Sequence, residues 1–295
     1  MYFSFLVDRY WHLKKFLLNP QRIFVVRSFM SEIAPVSDRS KFRGPTGTNS
    51  RATAPWDVGI GGSEVEALAA ALAPLDLLGR LAAIRAKLPG RIVFTTSFGL
   101  EDQAIAHAIF SQSLAIDVAT LDTGRLFPET HEVWAETEQR YGRRVAAFTP
   151  SHGSLEALIA QQGIGGLRSS VAARLACCNV RKVAPLDRAL AGTSAWVTGI
   201  RADQSAGRAR LASVAFDERR RLIKVNPLFD WTREQTLDFV QTHGVPYNRL
   251  HDRGFLSIGC APCTRAVVPG EPERAGRWWW EQSDKKECGL HSEAN

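Results

Sequence analysis

No apolar run in these 295 residues approaches the roughly 18 that a membrane span needs, so no transmembrane helix is expected. No internal repeat is present, and no secretory signal is recognised. Cysteine is sparse and odd in number, five in all, which rules out a fully paired disulfide framework and points to a reducing compartment, taken here as the cytoplasm. A basic body is also missing. The formal charge is +7, but residues 1–60 hold nine Lys/Arg against four Asp/Glu, leaving 28 against 26 for the rest. A general polyanion-binding face needs a basic stripe on the folded body, so no nucleic-acid partner is expected.

What is present is ordinary globular composition, 45% apolar and 23% charged. Residues 1–29 mix aromatic and basic residues with one acid and stop before a second methionine, Met30, which we take as the true start in preference to a targeting segment. Residues 30–62, rich in Ser, Thr, Pro, Gly and Arg, read as a flexible arm. Residues 1–62 are therefore set apart from an α/β domain over 63–270 and a C-terminal tail over 271–295.

The domain opens with Ser63 and Glu66 in capping-box spacing and two short helices broken at Pro74. Strands are predicted at "RIVFTTS" (91–97), "AIDVATL" (115–121), "RRVAAF" and "AWVTGI" (195–200), with helices at 100–110, from Pro128 to Gly142, around 154–162 and around 181–190. "LASVAF" and "RLIKVNPL" read as a hairpin, and "TREQTLDFVQTHG" as a helix capped by Thr232. Strands alternating with helices at this spacing imply a parallel sheet with helices on both faces. From about Asn248 the chain reads as loop.

Ligands of such folds lie beyond the carboxyl ends of the strands. Three strand-end loops suit an anionic nucleotide. "TTSFG" places Ser97 and Gly99 in a tight turn before a helix; "LDTGRLFPET" offers Asp122, Thr123 and Gly124 with the fixed charge of Arg125; "GIRADQSAGRAR" carries Arg201, Arg208 and Arg210. Each alone is also what a capping turn or a solvated loop looks like. Their combination argues for a nucleotide-like anion.

Four cysteines fall in two pairs, Cys177–Cys178 and Cys260–Cys263. Sulfurs around one tetrahedral zinc lie only about 3.8 Å apart, which neighbouring side chains reach with difficulty. A cubane spreads its thiolates over separate irons, so the adjacent pair favours a 4Fe-4S cluster over zinc. Arg181 and Lys182 follow one turn on, where cations offset an anionic cluster. The fifth cysteine, Cys288, sits in "KKECGLH", behind three tryptophans that can anchor a segment while residues 281–295 swing. A tail thiol is ordinarily a dispensable surface residue. Surrounded by Lys285, Lys286 and His291, this one reads as a nucleophile that carries a covalent intermediate from a cleft out to an external reductant.

Taken together, "TTSFGLEDQ", "LDTGRLFPET", "CCNVRK", "GIRADQS", "KVNPLFDW", "IGCAPC", "GRWWWE" and "KECGLH" resemble the assimilatory adenylyl-sulfate reductases, relatives of the phosphoadenylyl-sulfate reductases, over roughly residues 90–291. The resemblance implies an adenine nucleotide alpha-hydrolase-like fold related to the PP-loop enzymes. It implies that Cys288 attacks the sulfur of adenylyl sulfate to give an S-sulfocysteine from which thioredoxin, or a glutaredoxin-like reductant, releases sulfite. In the same way it implies that Cys177, Cys178, Cys260 and Cys263 ligate a 4Fe-4S cluster. Lys182, Arg208, Arg274, Arg277 and His291 would hold the phosphosulfate, while Ser97, Phe98, Gly99, Leu121, Thr123, Gly124 and Arg125 would line the nucleotide side. A homo-oligomer is expected. Four cluster cysteines usually accompany adenylyl sulfate, with the 3′-phosphorylated substrate, or both, as the alternative. More remote readings are a tRNA-thiolating PP-loop enzyme, which would need an SGGxDS-type loop where this chain has "SFGLED", and an iron-sulfur redox sensor.

Overall fold

Strand β1 (Ile92–Thr96) sends alternate apolar side chains to opposite faces, as a strand buried on both sides must. The computed structural model describes residues 62–282, 287, 289 and 290. β1 lies inside a six-stranded sheet with β2 (Asp117–Leu121), β3 (Ala146–Phe148), β4 (Ala195–Val197), β5 (Val214–Asp217) and β6 (Leu222–Val225), in the order β3-β2-β1-β4-β6-β5. All neighbours are parallel except β5 and β6, the antiparallel hairpin expected from "LASVAF…RLIKV".

The pleat sorts the two cores. Ile92, Phe94, Val118, Ala195, Val197, Ile223 and Val225 face one side, packed with Leu81 and Ile84 of α2 (Leu77–Lys87), Ala104, Ile105 and Ala108 of α3 (Leu100–Ser111), and Val133 of α4 (Pro128–Tyr141). Val93, Ala119, Trp196 and Leu222 face the other side, against Leu186 and Leu190 at the end of α7 (Ala184–Ala189). Each buried Leu or Ile of these layers contributes roughly 1.5–3 kcal/mol of transfer free energy. This is the two-faced parallel sheet that the alternation of strands and helices implied.

Local signals operate where expected. Pro128 starts α4, and Gly142 ends it at φ +59°. Thr232 and Gln235 close a reciprocal capping box on α8 (Arg233–Thr242). The helix α1 (Gly62–Leu72) already includes residue 62, so Ser63 lies in its first turn and is not the cap. Two elements differ from expectation. α5 (His152–Gln162) is followed by an unanticipated helix α6 (Val171–Cys178) that ends on the tandem cysteines. The predicted 181–190 helix is instead a π-turn over Asn179–Val183 leading into α7, with Ala184 N–H donating to the carbonyl of Asn179. Pro185 explains the widening, because it has no N–H for the Arg181 carbonyl and its ring crowds that oxygen. The expected arm over 1–62 lies, but for Gly62, outside the described residues, as do Met30, Lys285, Lys286, Cys288 and His291.

Candidate active site

The chain fills the sheet from β1 outward through β2 and β3, then returns to the other side of β1 for β4, so the order reverses between β1 and β4. A cleft opens at the carboxyl ends of β1, β2 and β4, the position at which such sheets bind ligands. Its floor is Thr95–Ser97, Gly99, Thr120, Leu121, Thr123 and Thr198–Ile200.

The turn after β1 is held from below. Phe98 adopts φ +59°, its N–H donates to Thr96 Oγ1 at 2.9 Å, and its ring is buried against Trp134 with centroids 5.5 Å apart. Asp102, in the first turn of α3, accepts hydrogen bonds from Ser97 N (2.5 Å) and Ser97 Oγ (2.8 Å). Burial outweighs these bonds and pushes its carboxyl up to about 7. Gly199 makes room for it: a Cβ there would stand 2.2 Å from Asp102 Oδ1.

Beside it, Arg201 is buried with Glu101 (2.8 Å), Glu273 (2.9 and 3.0 Å) and Asp203 around its guanidinium. Burial alone would raise Glu101; the Arg201 charge and hydrogen bonds overcome it and leave that carboxyl below its ordinary value. Glu273 stays raised by burial and by the Glu101 charge. In the same charged surroundings His251 Nδ1 lies 2.8 Å from the Phe255 carbonyl, and burial with the Arg233 charge lowers its pKa to about 4.

Asp102 and His251 predict opposite pH slopes. Asp102 is raised from 3.8, so its contribution to stability is full below that value and is lost as pH climbs toward 7. His251 is lowered from 6.5, so its contribution is full above that value and is lost as pH falls toward 4. The two offset each other in between. In Asp102→Asn the urea midpoint should therefore rise with pH between about 4.5 and 6.5, and in His251→Gln it should fall. Parallel profiles in the two variants would contradict this balance.

Four cations reach the cleft from three segments: Lys182 from the π-turn, Arg208 from the loop after β4, and Arg274 and Arg277 from the C-terminal segment. Arg277 is buried, stacks on Trp278 at 4.7 Å and leaves Nε without a partner. Trp278 is buried at φ +43° and also receives Arg174 at 4.6 Å, so this tryptophan anchors the segment as the sequence suggested. The anchored part extends further than expected. Glu281 is buried in a two-point pair with Arg174 (2.6 and 3.0 Å), and Glu287 and Leu290 line the cleft.

Behind Lys182 lies a second cavity. It is lined by Cys177 and Cys178 at the end of α6, by Cys260 and Cys263 around a single 3-10 turn, and by Arg125, Arg174, Arg181 and Lys182. None of the four buried cysteines is in a disulfide. Cys260 Sγ lies 3.3 Å from Thr123 Oγ1, and Ala261 N donates to the Arg125 carbonyl (2.8 Å), so the turn after β2 joins the thiols to the cleft floor. Burial and the neighbouring thiols push Cys263 up to about 11. Among the described residues no three His, Cys, Asp or Glu side chains form a group able to hold one metal ion. The four buried thiols line one cavity together with Arg125, Arg174, Arg181 and Lys182, so the donor set is all sulfur and its surroundings are cationic, the chemistry that an anionic iron-sulfur cluster takes.

Of the residues named from sequence, Ser97, Gly99, Leu121, Thr123, Lys182, Arg208, Arg274 and Arg277 come together in the cleft. Phe98 does not, because its left-handed turn drives the ring into the core. Arg125 faces the cysteine cavity and donates to the Ile164 carbonyl at 2.5 Å, and Gly124, at φ +66°, stands against Arg181. Sequence reading missed Glu101, Asp102, His251, Glu273 and Glu287. "GLED" was the available signal for the first two, since acids in a first helical turn at a strand end face the ligand side.

Fold and cleft define a class: an open, mostly parallel α/β fold of PP-loop-like architecture, with a cationic cleft at the point where the strand order reverses. The comparisons specify it. Residues 91–266 match the phosphoadenosine phosphosulfate reductase domain. Proteins named adenosine 5'-phosphosulfate reductase are similar: that of Agrobacterium fabrum is 52% identical over 78% of this chain and 88% of its own, and that of Rhizobium meliloti 54% over 75% and 83%. A crystal structure of phosphoadenylyl-sulfate reductase from Candida auris, a phosphate complex, superposes with a TM-score of 0.61 at 26% identity, covering 70% of this chain and 98% of that one. The chain belongs to the phosphoadenosine phosphosulfate reductase family.

Proposed function

We propose that this protein reduces adenylyl sulfate to sulfite and AMP with electrons from a thioredoxin-type dithiol. The observation that carries the reading is the convergence of Lys182, Arg208, Arg274 and Arg277 on a cleft at the carboxyl ends of β1, β2 and β4, next to the segment that bears Cys288. The Cys288 thiolate attacks the sulfonyl sulfur, the bond from sulfur to the phosphate oxygen breaks, and AMP leaves with the electron pair. One thiol of the reductant then attacks the Cys288 sulfur and expels sulfite, and its second thiol resolves the mixed disulfide. Two electrons pass from dithiol to sulfur. The cations offset the charge of substrate and leaving group, which would otherwise repel a thiolate.

Cys177, Cys178, Cys260 and Cys263 would hold a 4Fe-4S cluster, whose negative charge would act electrostatically on the cations around it. Lys182 lines both cavities and so belongs to the substrate and cluster environments together. Adenylyl sulfate is preferred to its 3′-phosphorylated form because the four-cysteine set is complete and the similar proteins of Agrobacterium fabrum and Rhizobium meliloti carry that substrate in their names. A cytoplasmic setting agrees with cysteines kept as thiols; no described helix is long and apolar enough to cross a membrane.

The test uses anaerobically purified protein with each sulfated nucleotide in turn. The expected result is the mass of one SO3 group on the peptide containing Cys288 and one equivalent of AMP, then sulfite on addition of reduced thioredoxin. Sulfite formed without an adduct on that peptide would overturn the mechanism, and no turnover of either nucleotide would overturn the function.

A further inference from the structure

One cleft contact is unusual in its chemistry. Arg208 and Arg274 do not face the cleft bare: both hold the carboxylate of Glu287, the residue joined by a peptide bond to Cys288. Arg208 meets it edge-on, Nε to Oε1 at 3.0 Å and Nη2 to Oε2 at 3.1 Å, and Arg274 Nη2 lies 3.2 Å from Oε2. The Glu287 carbonyl is held separately, by Arg174 Nη1 at 2.7 Å, and Arg174 is itself fixed by Glu281 and Trp278. Residue 287 is thus tied at two points of different character. The main-chain tie is to a buried arginine with its own carboxylate partner. The side-chain tie is to two arginines that the proposed function assigns to the substrate.

Resting on that function, we propose that the Glu287 carboxylate is an internal competitor for the Arg208–Arg274 anion subsite, and that the substrate's phosphosulfate, by displacing it, resets the position of Cys288. Glu287 fills the Nε/Nη2 edge of Arg208, and Nη1 of the same guanidinium donates to Gln204 Oε1, so an oxyanion that takes the two-point edge must displace the carboxylate. At that edge the contact and a bound oxyanion are mutually exclusive. Displacement frees the side chain while Arg174 still holds the carbonyl, so the ties at residue 287 drop from two to one and the peptide joining it to Cys288 can turn about the one that remains. Glu287 is a positioning residue: it touches the arginines and not the reacting atoms.

The experiment titrates the full, cluster-loaded protein with ADP, whose β-phosphate stands where the sulfonate would, and with adenosine, which has no anion. In Glu287→Gln and Glu287→Ala, ADP is expected to bind about tenfold more tightly than to wild type, with adenosine unchanged. A carboxylate that is only structural would leave ADP affinity equal or weaker, or shift both ligands together. Either result, or failure of ADP to bind any of the three proteins, overturns the proposal. Peptide-mapped alkylation supplies the second reading. The Cys288 rate in Glu287→Gln without nucleotide should match wild type saturated with ADP, and a rate equal to nucleotide-free wild type would overturn the coupling to the thiol. Wild-type protein that makes no sulfite from adenylyl sulfate sinks the proposed function, while the comparison of ADP with adenosine still decides the role of the carboxylate.

Discussion

Replacing Cys288 with serine is expected to lower sulfite formation by about 10⁴-fold or more, with adenylyl sulfate binding and iron content unchanged. Oxygen fails at two points. A serine hydroxyl is almost wholly protonated near neutrality and is a poor nucleophile toward sulfonyl sulfur. If it did react, the product would be a sulfate ester, which has no divalent sulfur at which a dithiol could displace sulfite, so the second half-reaction has no path. The loss should therefore appear in kcat, with KM little changed, because the cationic cleft formed by Lys182, Arg208, Arg274 and Arg277 is left intact. Steady-state sulfite assays and a substrate titration check this. A serine variant with sulfite output near wild type would remove the covalent intermediate from the mechanism.

The elements that sequence made legible are those whose signals are local. Pro128 and Gly142 bracket α4, Thr232 and Gln235 cap α8, and the short β-rich apolar runs in "IVFTT" and "AWV" read as strands of a sheet covered on both faces. The cations were legible for another reason: Arg208 lies in a loop that ends a strand, Lys182 one turn beyond the tandem cysteines, and Arg274 and Arg277 in the aromatic-anchored tail, and the resemblance joined them to one anionic substrate. What escaped were carboxylates. Glu101, Glu273 and Glu287 are ordinary surface residues by composition, and only the fold shows that the first two share Arg201 and that Glu287 is held by Arg208 and Arg274. The π-turn escaped because its cause, Pro185, looks in sequence like a helix start. Phe98 was misplaced for a similar reason, since a left-handed aromatic in a strand-end turn has no sequence signature.

Arg201→Met should have the largest effect on the fold itself, about 3–5 kcal/mol of unfolding free energy near neutral pH. The Arg201 side chain is fully buried, and its partners Glu101 and Glu273 keep only 12% and 14% of their side-chain surface exposed. Removing the guanidinium strands two carboxylates that burial already disfavours as anions. Without the arginine both would take up protons more readily in the folded state than in the unfolded one. Their stabilising contribution then belongs to low pH and is lost as pH rises past the ordinary glutamate value of 4.5, so the deficit should be smaller near pH 5 than near pH 8. Adding Glu101→Gln and Glu273→Gln to the methionine variant should recover much of the loss, because the penalty lies in the stranded charges more than in the missing pair. Urea unfolding of the single and triple variants at the two pH values measures this. A triple variant as unstable as the single one would show that packing of the guanidinium, and not charge, holds this wall of the cleft.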